Sequence, residues 1–320
     1  SFIICIDTVM RTRWLTLIGV MLTMATLAFI GMRLWQDRAI LASWHPDGGD
    51  LLRVAAATLV YASAGVILAV TWIRLLHNFV PAQTDARMLI GIYARSQLAK
   101  YVPGNIAHFA GRHVLGRRKG YAHSALAVSA LLEIILLLVV SAAIGVVGGL
   151  TPHLSRMQQG SVSAQWALLL LVVAIPVGMY AMFRWFWPYV RRRYPQLPHM
   201  DLSLAVLFPT LIAYAAFFLL GGLSLKLVIE TFDQEIANLN LLNIIAIFAF
   251  TWLIGSITPG APSGIGVREA ALVILLQPSM GSAWAVLAAV VLRLVTMVAD
   301  VLFFCLGLAV DRHKISNASL

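Results

Sequence analysis

Apolar residues run along this chain in blocks of twenty or more positions separated by short polar stretches, and two further blocks are broken in the middle. Trp14 to Leu34, Leu52 to Leu76, Tyr121 to Leu150, Gln165 to Trp187, Ser203 to Ile229 and Ala283 to Val310 are uninterrupted enough to be read as helices. At 1.5 Å per residue each is long enough for the roughly 30 Å of a bilayer's hydrocarbon. Trp14, Trp35, Trp166, Trp185 and Trp187 stand at the ends of these runs, where indole rings anchor helices at the membrane interface. The broken blocks are Met88 to Val102 with Asn105 to Leu115, and Leu241 to Ile257 with Gly264 to Leu276. A run of about 15 residues covers only about 22 Å, so these pairs read as the arms of two re-entrant hairpins. Two interfacial amphipathic helices are the other reading of the first pair.

Composition sharpens that picture. Hydrophobic residues make up 61% of the 320 positions and charged residues 11%, with a mean hydropathy of +0.89, which places the chain among integral membrane proteins. The expected architecture is an all-α polytopic membrane protein of six full spans plus two oppositely oriented re-entrant hairpins related as an inverted repeat. Residues 14–310 form one transmembrane domain with repeat units at about 86–150 and 241–310, flanked by tails at 1–13 and 311–320. Ser1 to Val9 differ in character from the rest of the chain and read as an upstream extension or cloning remnant. The net charge of +10 raises the question of nucleic acid. The basic residues sit in loops between spans, however, where topology and anionic lipid account for them. Cys5 and Cys305 lie at opposite ends of the chain and define no disulfide framework or metal cluster. No cofactor is expected, and nothing in the pattern specifies an oligomeric state.

The charges also orient the spans. Between Arg74 and Tyr121 stand Arg74, Arg87, Arg95, Lys100, Arg112, Arg117, Arg118 and Lys119 against one Asp85, and the tail carries Asp311-Arg-His-Lys314. By the positive-inside rule these segments and Arg191-Arg192-Arg193 face the cytoplasm, so both termini are expected there. Glu230, Asp233 and Glu235 fit the outer face, whereas Arg33, Arg38 and Arg53 blur the signal in the first outer loop.

The breaks hold the unusual chemistry. Lys100-Tyr-Val-Pro-Gly-Asn105 leads to Arg112, and Ser256-Ile-Thr-Pro-Gly260 leads to Arg268, with seven residues between glycine and arginine each time. Broken hydrophobic segments at corresponding places in two halves point to a transporter binding site. After Pro262 a helix is expected to restart near Ser263 or Gly264, its free N–H groups offering an anion site beside Arg268. Glu133 and Arg293 lie near the middle of their spans, where a charge needs a partner, and their equivalent positions suggest a Glu133 to Arg293 ion pair. Asp300 shares a helical face with Arg293 and is a partner for it or for a cytoplasmic cation. Glu269, next to Arg268, points elsewhere, and Lys100 either sits deep or snorkels to the surface. His108, His113 and His123 lack convergent zinc-ligand spacing. Gly145-Val-Val-Gly-Gly149 contains a GxxxG helix-packing pattern.

The Pro103-Gly104 unit with Arg112 and Arg117-Arg118-Lys119-Gly120, the Glu133 helix, Ser256-Ile-Thr-Pro-Gly260, Gly264-Ile-Gly-Val-Arg-Glu-Ala-Ala271 and Arg293-Leu-Val-Thr296 together resemble the lysylphosphatidylglycerol synthase transmembrane (flippase-like) family, over about Leu15 to Val310. The resemblance implies a bacterial or archaeal cytoplasmic-membrane protein that moves an anionic or aminoacylated lipid, or a polyprenyl-phosphate-linked headgroup, between leaflets. By that resemblance Arg112, Arg268 and Glu269 line the headgroup path, and Gly104, Asn105, Gly264 and Gly266 are expected with them among the substrate-binding residues. Glu133, Arg293, Asp300 and Lys100 are expected to form an intramembrane charge network or to serve coupling, with Glu133, Glu269 and Asp300 the candidates for proton coupling. The family's soluble aminoacyl-transfer domain is not expected in this protein, and the family's usual Glu-Arg pair reads Glu133-Ile134. No catalytic constellation stands out, so transport is expected. A membrane enzyme acting on a lipid-linked substrate and an accessory subunit to lipid or glycan biosynthesis enzymes are the other classes.

Overall fold

The computed structural model describes residues 44–80, 85–102, 106–156, 203–232, 239–258 and 261–317, with scattered positions between 21 and 42 and between 178 and 193. The expected spans at Trp14 to Leu34 and Gln165 to Trp187 therefore lie largely outside the described residues. So do Pro103, Gly104, Asn105, Pro259 and Gly260. Among the described residues the regular structure is all helical: α1 (Gly48–His77), α2 (Ala86–Gln97), α3 (Ala107–Arg118), α4 (His123–Arg156), α5 (Leu204–Ile229), α6 (Leu241–Ile257) and α7 (Val267–Asn317). Single 3-10 turns follow α2 at Leu98–Tyr101 and precede α7 at Pro262–Gly264.

Among the described residues four helices are long and apolar enough to cross a membrane: Gly48–His77, His123–Gly148, Leu204–Ile229 and Val267–Val310. The others are short, with 12 residues in α2, 12 in α3 and 17 in α6. Local chemistry sets their starts. Asp47 and Asp50 form a reciprocal capping box at α1, Asp85 accepts from the Arg87 N–H at α2, and Asn240 accepts from the Leu242 N–H at α6. The sequence expectation of separate runs at Gly264 to Leu276 and Ala283 to Val310 meets one 51-residue helix with an internal break. At Gly281 the backbone turns to φ 80, ψ 166, a conformation essentially reserved for glycine, and divides α7 into limbs 267–280 and 282–317.

Small residues let the helices approach closely. On α5, Gly221 and Gly222 lie against Phe248 and Ile245 of α6, and a methyl on Gly222 would stand 2.7 Å from the Ile245 Cα. On α4, Gly145 faces Phe250 and Gly148 faces Ala246, so the small-residue pattern there seats α6. On α7, Gly307 packs against Ala94 of α2. Ser224 donates to the Ala57 carbonyl at 3.0 Å, tying α5 to α1. One end of the bundle is closed by Trp72, Ile73, Leu76, Leu89, Tyr121 and Leu126. The other end holds an aromatic group in which Phe232 contacts Trp44 and stacks on Trp284.

Candidate functional site

The charged side chains buried in this apolar bundle, Arg112, Glu133, Glu269 and Asp300, gather near the ends of the short helices. The turn through Lys119 and Gly120 folds α3 back along α4, with Gly116 against Leu126 and His113 Nε2 2.7 Å from His123 Nδ1. That register brings Arg112 level with Glu133. The two form an ion pair whose side chains are 2% and 3% exposed. The Tyr93 hydroxyl donates to the second carboxylate oxygen at 2.6 Å. The Arg112 guanidinium also lies 4.6 Å from the ring centres of Trp72 and Tyr93 and 5.2 Å from that of Phe109. The carboxylate and the rings offset much of the cost of burying this guanidinium, while its Nη1 has no hydrogen-bond partner among the described residues.

The same arrangement recurs at the second break with the charges exchanged. Glu269 and Arg293 flank Gly281 at equal distances along the chain, one on each limb of α7, and their charged atoms are 3.5 Å apart. Arg293 also reaches the Ser263 carbonyl at 3.4 Å and lies 5.4 Å from the Tyr101 ring centre. The expected Glu133 to Arg293 pair is thus replaced by two pairs, Arg112 with Glu133 and Arg293 with Glu269. Each forms across its own local hairpin, because a short connection places antiparallel neighbours side by side. Asp300 takes the second of its expected partners: Lys100 Nζ is 2.7 Å away and the Tyr101 hydroxyl donates to it at 2.5 Å. Lys100 does not snorkel. Its ammonium closes a contact between the first break and the last helix.

The expected helix restart near Ser263 is also displaced. Residues 263–266 form a turn in which Ser263, Gly264 and Gly266 have φ of 51, 66 and 86, and the α-helix begins at Val267. Gly264 is needed there for space as well as conformation, since a side chain on it would stand 2.7 Å from the Gly255 Cα. The Glu269 carboxylate accepts from the Gly266 N–H at 2.5 Å, the return half of a capping box. The protein's own carboxylate thus occupies part of the helix start expected to receive an anion.

Between these groups lies a cavity of about 110 Å³ to which each of α1 to α7 contributes. Lys100, His108, Glu133, Arg268 and Asp300 reach its wall, with Gln97, Ser256 and Ser263 adding polar atoms and Tyr61, Trp252 and Phe303 adding rings. Arg268 has its stem against Gly255, its guanidinium 5.6 Å from the Phe248 ring centre, and no carboxylate partner among the described residues. His108 Nδ1 is buried and has no hydrogen-bond partner among the described residues. Arg112 stands behind the wall, engaged by Glu133, while Glu269 and Arg293 line a smaller neighbouring space together with Arg268. Tyr93 and Trp72, which organise Arg112, carry no sequence signal beyond being aromatic in apolar runs. Among the described residues no group of three or more metal-ligating side chains occurs. Comparison with protein-family models and with curated proteins finds no match to the chain.

Proposed function

We propose that the protein is a lipid transporter of the inner membrane that carries the polar headgroup of an anionic or aminoacylated lipid, or of a polyprenyl-phosphate-linked lipid, between leaflets while the acyl tails remain in the bilayer. The observation that carries this reading is the cavity itself: a space of about 110 Å³ in an apolar bundle, with Arg268 at its wall and no carboxylate paired to it among the described residues. A phosphate crossing hydrocarbon loses its hydration, and fixed donors must replace it. Arg268, His108 and the polar atoms of Gln97, Ser256 and Ser263 supply them.

Pseudosymmetry of the packing supports the inverted-repeat architecture on which alternating access would rest. The first short arm, α2, packs on α7, and the second, α6, packs on α4. The two 3-10 turns touch each other, and α1 packs on α5, the long helix preceding each unit. Gly307 against Ala94 and Gly148 against Ala246 occupy matching places in that exchange. In this reading α2 with α3, and α6 with limb 267–280, are hairpins entering from opposite faces. The motifs around Gly104 and Gly264 that resemble the lysylphosphatidylglycerol synthase transmembrane family agree with it.

Native mass spectrometry of gently extracted protein tests the proposal. The wild type is expected to retain a specific polar lipid and Arg268→Ala to lose it while remaining folded. A bulk-lipid profile that Arg268→Ala leaves unchanged would move the assignment to a non-transporting accessory subunit.

A further inference from the structure

From the charge inventory of the cavity we infer that its ligand is a monoanionic phosphodiester without an ammonium group, and that Asp300 sets this preference by withholding Lys100 from the ligand. The inference rests on the headgroup reading above and narrows it.

Among the described residues, seven charged side chains surround the cavity and the smaller space beside it, to both of which Arg268 contributes. Lys100, Arg112, Arg268 and Arg293 are the cations, and Glu133, Glu269 and Asp300 the carboxylates. Each carboxylate is matched to one cation: Glu133 to Arg112, Glu269 to Arg293 and Asp300 to Lys100. With histidine neutral, one positive charge remains among the described residues, and it belongs to Arg268. One uncompensated charge in an apolar bundle is neutralised by a ligand of charge minus one. A phosphomonoester carries nearly two negative charges at neutral pH and would leave one unpaired. An ammonium-bearing headgroup would need a free carboxylate, and both carboxylates at the cavity wall are engaged. The Asp300 carboxylate is held twice, by Lys100 at 2.7 Å and by the Tyr101 hydroxyl at 2.5 Å, so exchanging its partner for a ligand would break both contacts.

Lys100 is therefore present at the wall but spent. Replacing Asp300 by asparagine keeps a similar shape and an oxygen for Tyr101 and Lys100, while releasing a second positive charge into the cavity. The site should then accept a dianion. Removing the lysine charge as well should restore the original preference.

The test is lipid exchange from mixed nanodiscs containing equimolar phosphatidylglycerol, phosphatidic acid and phosphatidylethanolamine, read by native mass spectrometry on the full chain. Wild type is expected to retain phosphatidylglycerol over the other two. Arg268→Gln should lower that retention about a hundredfold, the scale of one unpaired charge inside a membrane. Asp300→Asn should shift the ratio toward phosphatidic acid by about tenfold or more, and Asp300→Asn with Lys100→Met should return it to the wild-type order. Equal retention of phosphatidic acid or phosphatidylethanolamine that still depends on Arg268 would overturn the charge rule and leave the headgroup site standing. Retention of all three that is indifferent to Arg268→Gln would overturn the rule and the transport reading together.

Discussion

Arg112 and Glu133 show what a charge costs and what it fixes in this bundle. Both are almost fully buried, and Tyr93, Trp72 and Phe109 complete their surroundings. Breaking such a pair by removing one partner strands the other charge, at a cost of about 3 to 5 kcal/mol, whereas replacing both by apolar residues of similar volume is often neutral. Glu133→Gln should therefore lower the thermal stability of the detergent-solubilised protein sharply, and Arg112→Met with Glu133→Leu should recover most of the loss. A double variant no more stable than the single one would assign the pair a role beyond mutual compensation. The sequence identified these residues individually, since charges in apolar runs are conspicuous, but it paired Glu133 with Arg293 by their equivalent positions. Local hairpin register decides the pairing instead. The short connections at Gly120 and Gly281 were the available signal, because each brings the residues on its two sides level.

At the scale of elements, the breaks and the tight contacts carry the fold. Gly281→Ala places a side chain in a backbone region that costs about 1 to 3 kcal/mol, although nothing crowds the position. Gly222→Ala acts differently, since its methyl would enter backbone and side-chain atoms of Ile245, and overpacking of that kind costs typically about 1 to 3 kcal/mol. Unfolding of both variants beside Gly31→Ala, whose position is helical and open, should show two losses and one near-neutral change. The long spans were legible from hydropathy alone where the structure describes them. The join of the last two runs into one broken helix was not. Residues 277–282, which separate the two expected runs, contain Pro278 and Gly281, yet the helix continues through Pro278 to the Gly281 break. The start of that helix was also misplaced, because a turn with positive φ at Ser263, Gly264 and Gly266 delays it to Val267.

Across the whole molecule, the two ends of the bundle differ in chemistry. Lys119 lies beside Arg117 and Arg118 at the end closed by Trp72 and Tyr121, and Glu230 lies next to Phe232 at the aromatic end. If the positive-inside rule orients the protein, a cysteine at Lys119 should react with an impermeant thiol reagent only from the cytoplasmic side and one at Glu230 only from outside. Labelling of both from one side would invalidate the topology. The cavity between those ends, with Arg268 as its one unmatched cation among the described residues, is the centre of the account. The most direct test is headgroup translocation in proteoliposomes, using a fluorescent phosphatidylglycerol and a membrane-impermeant quencher. Wild-type protein should render the inner-leaflet probe quenchable well above the protein-free leak, and Arg268→Ala, inserted to the same level, should fall to that leak. Equal rates for the two proteins would contradict passage of the headgroup past Arg268.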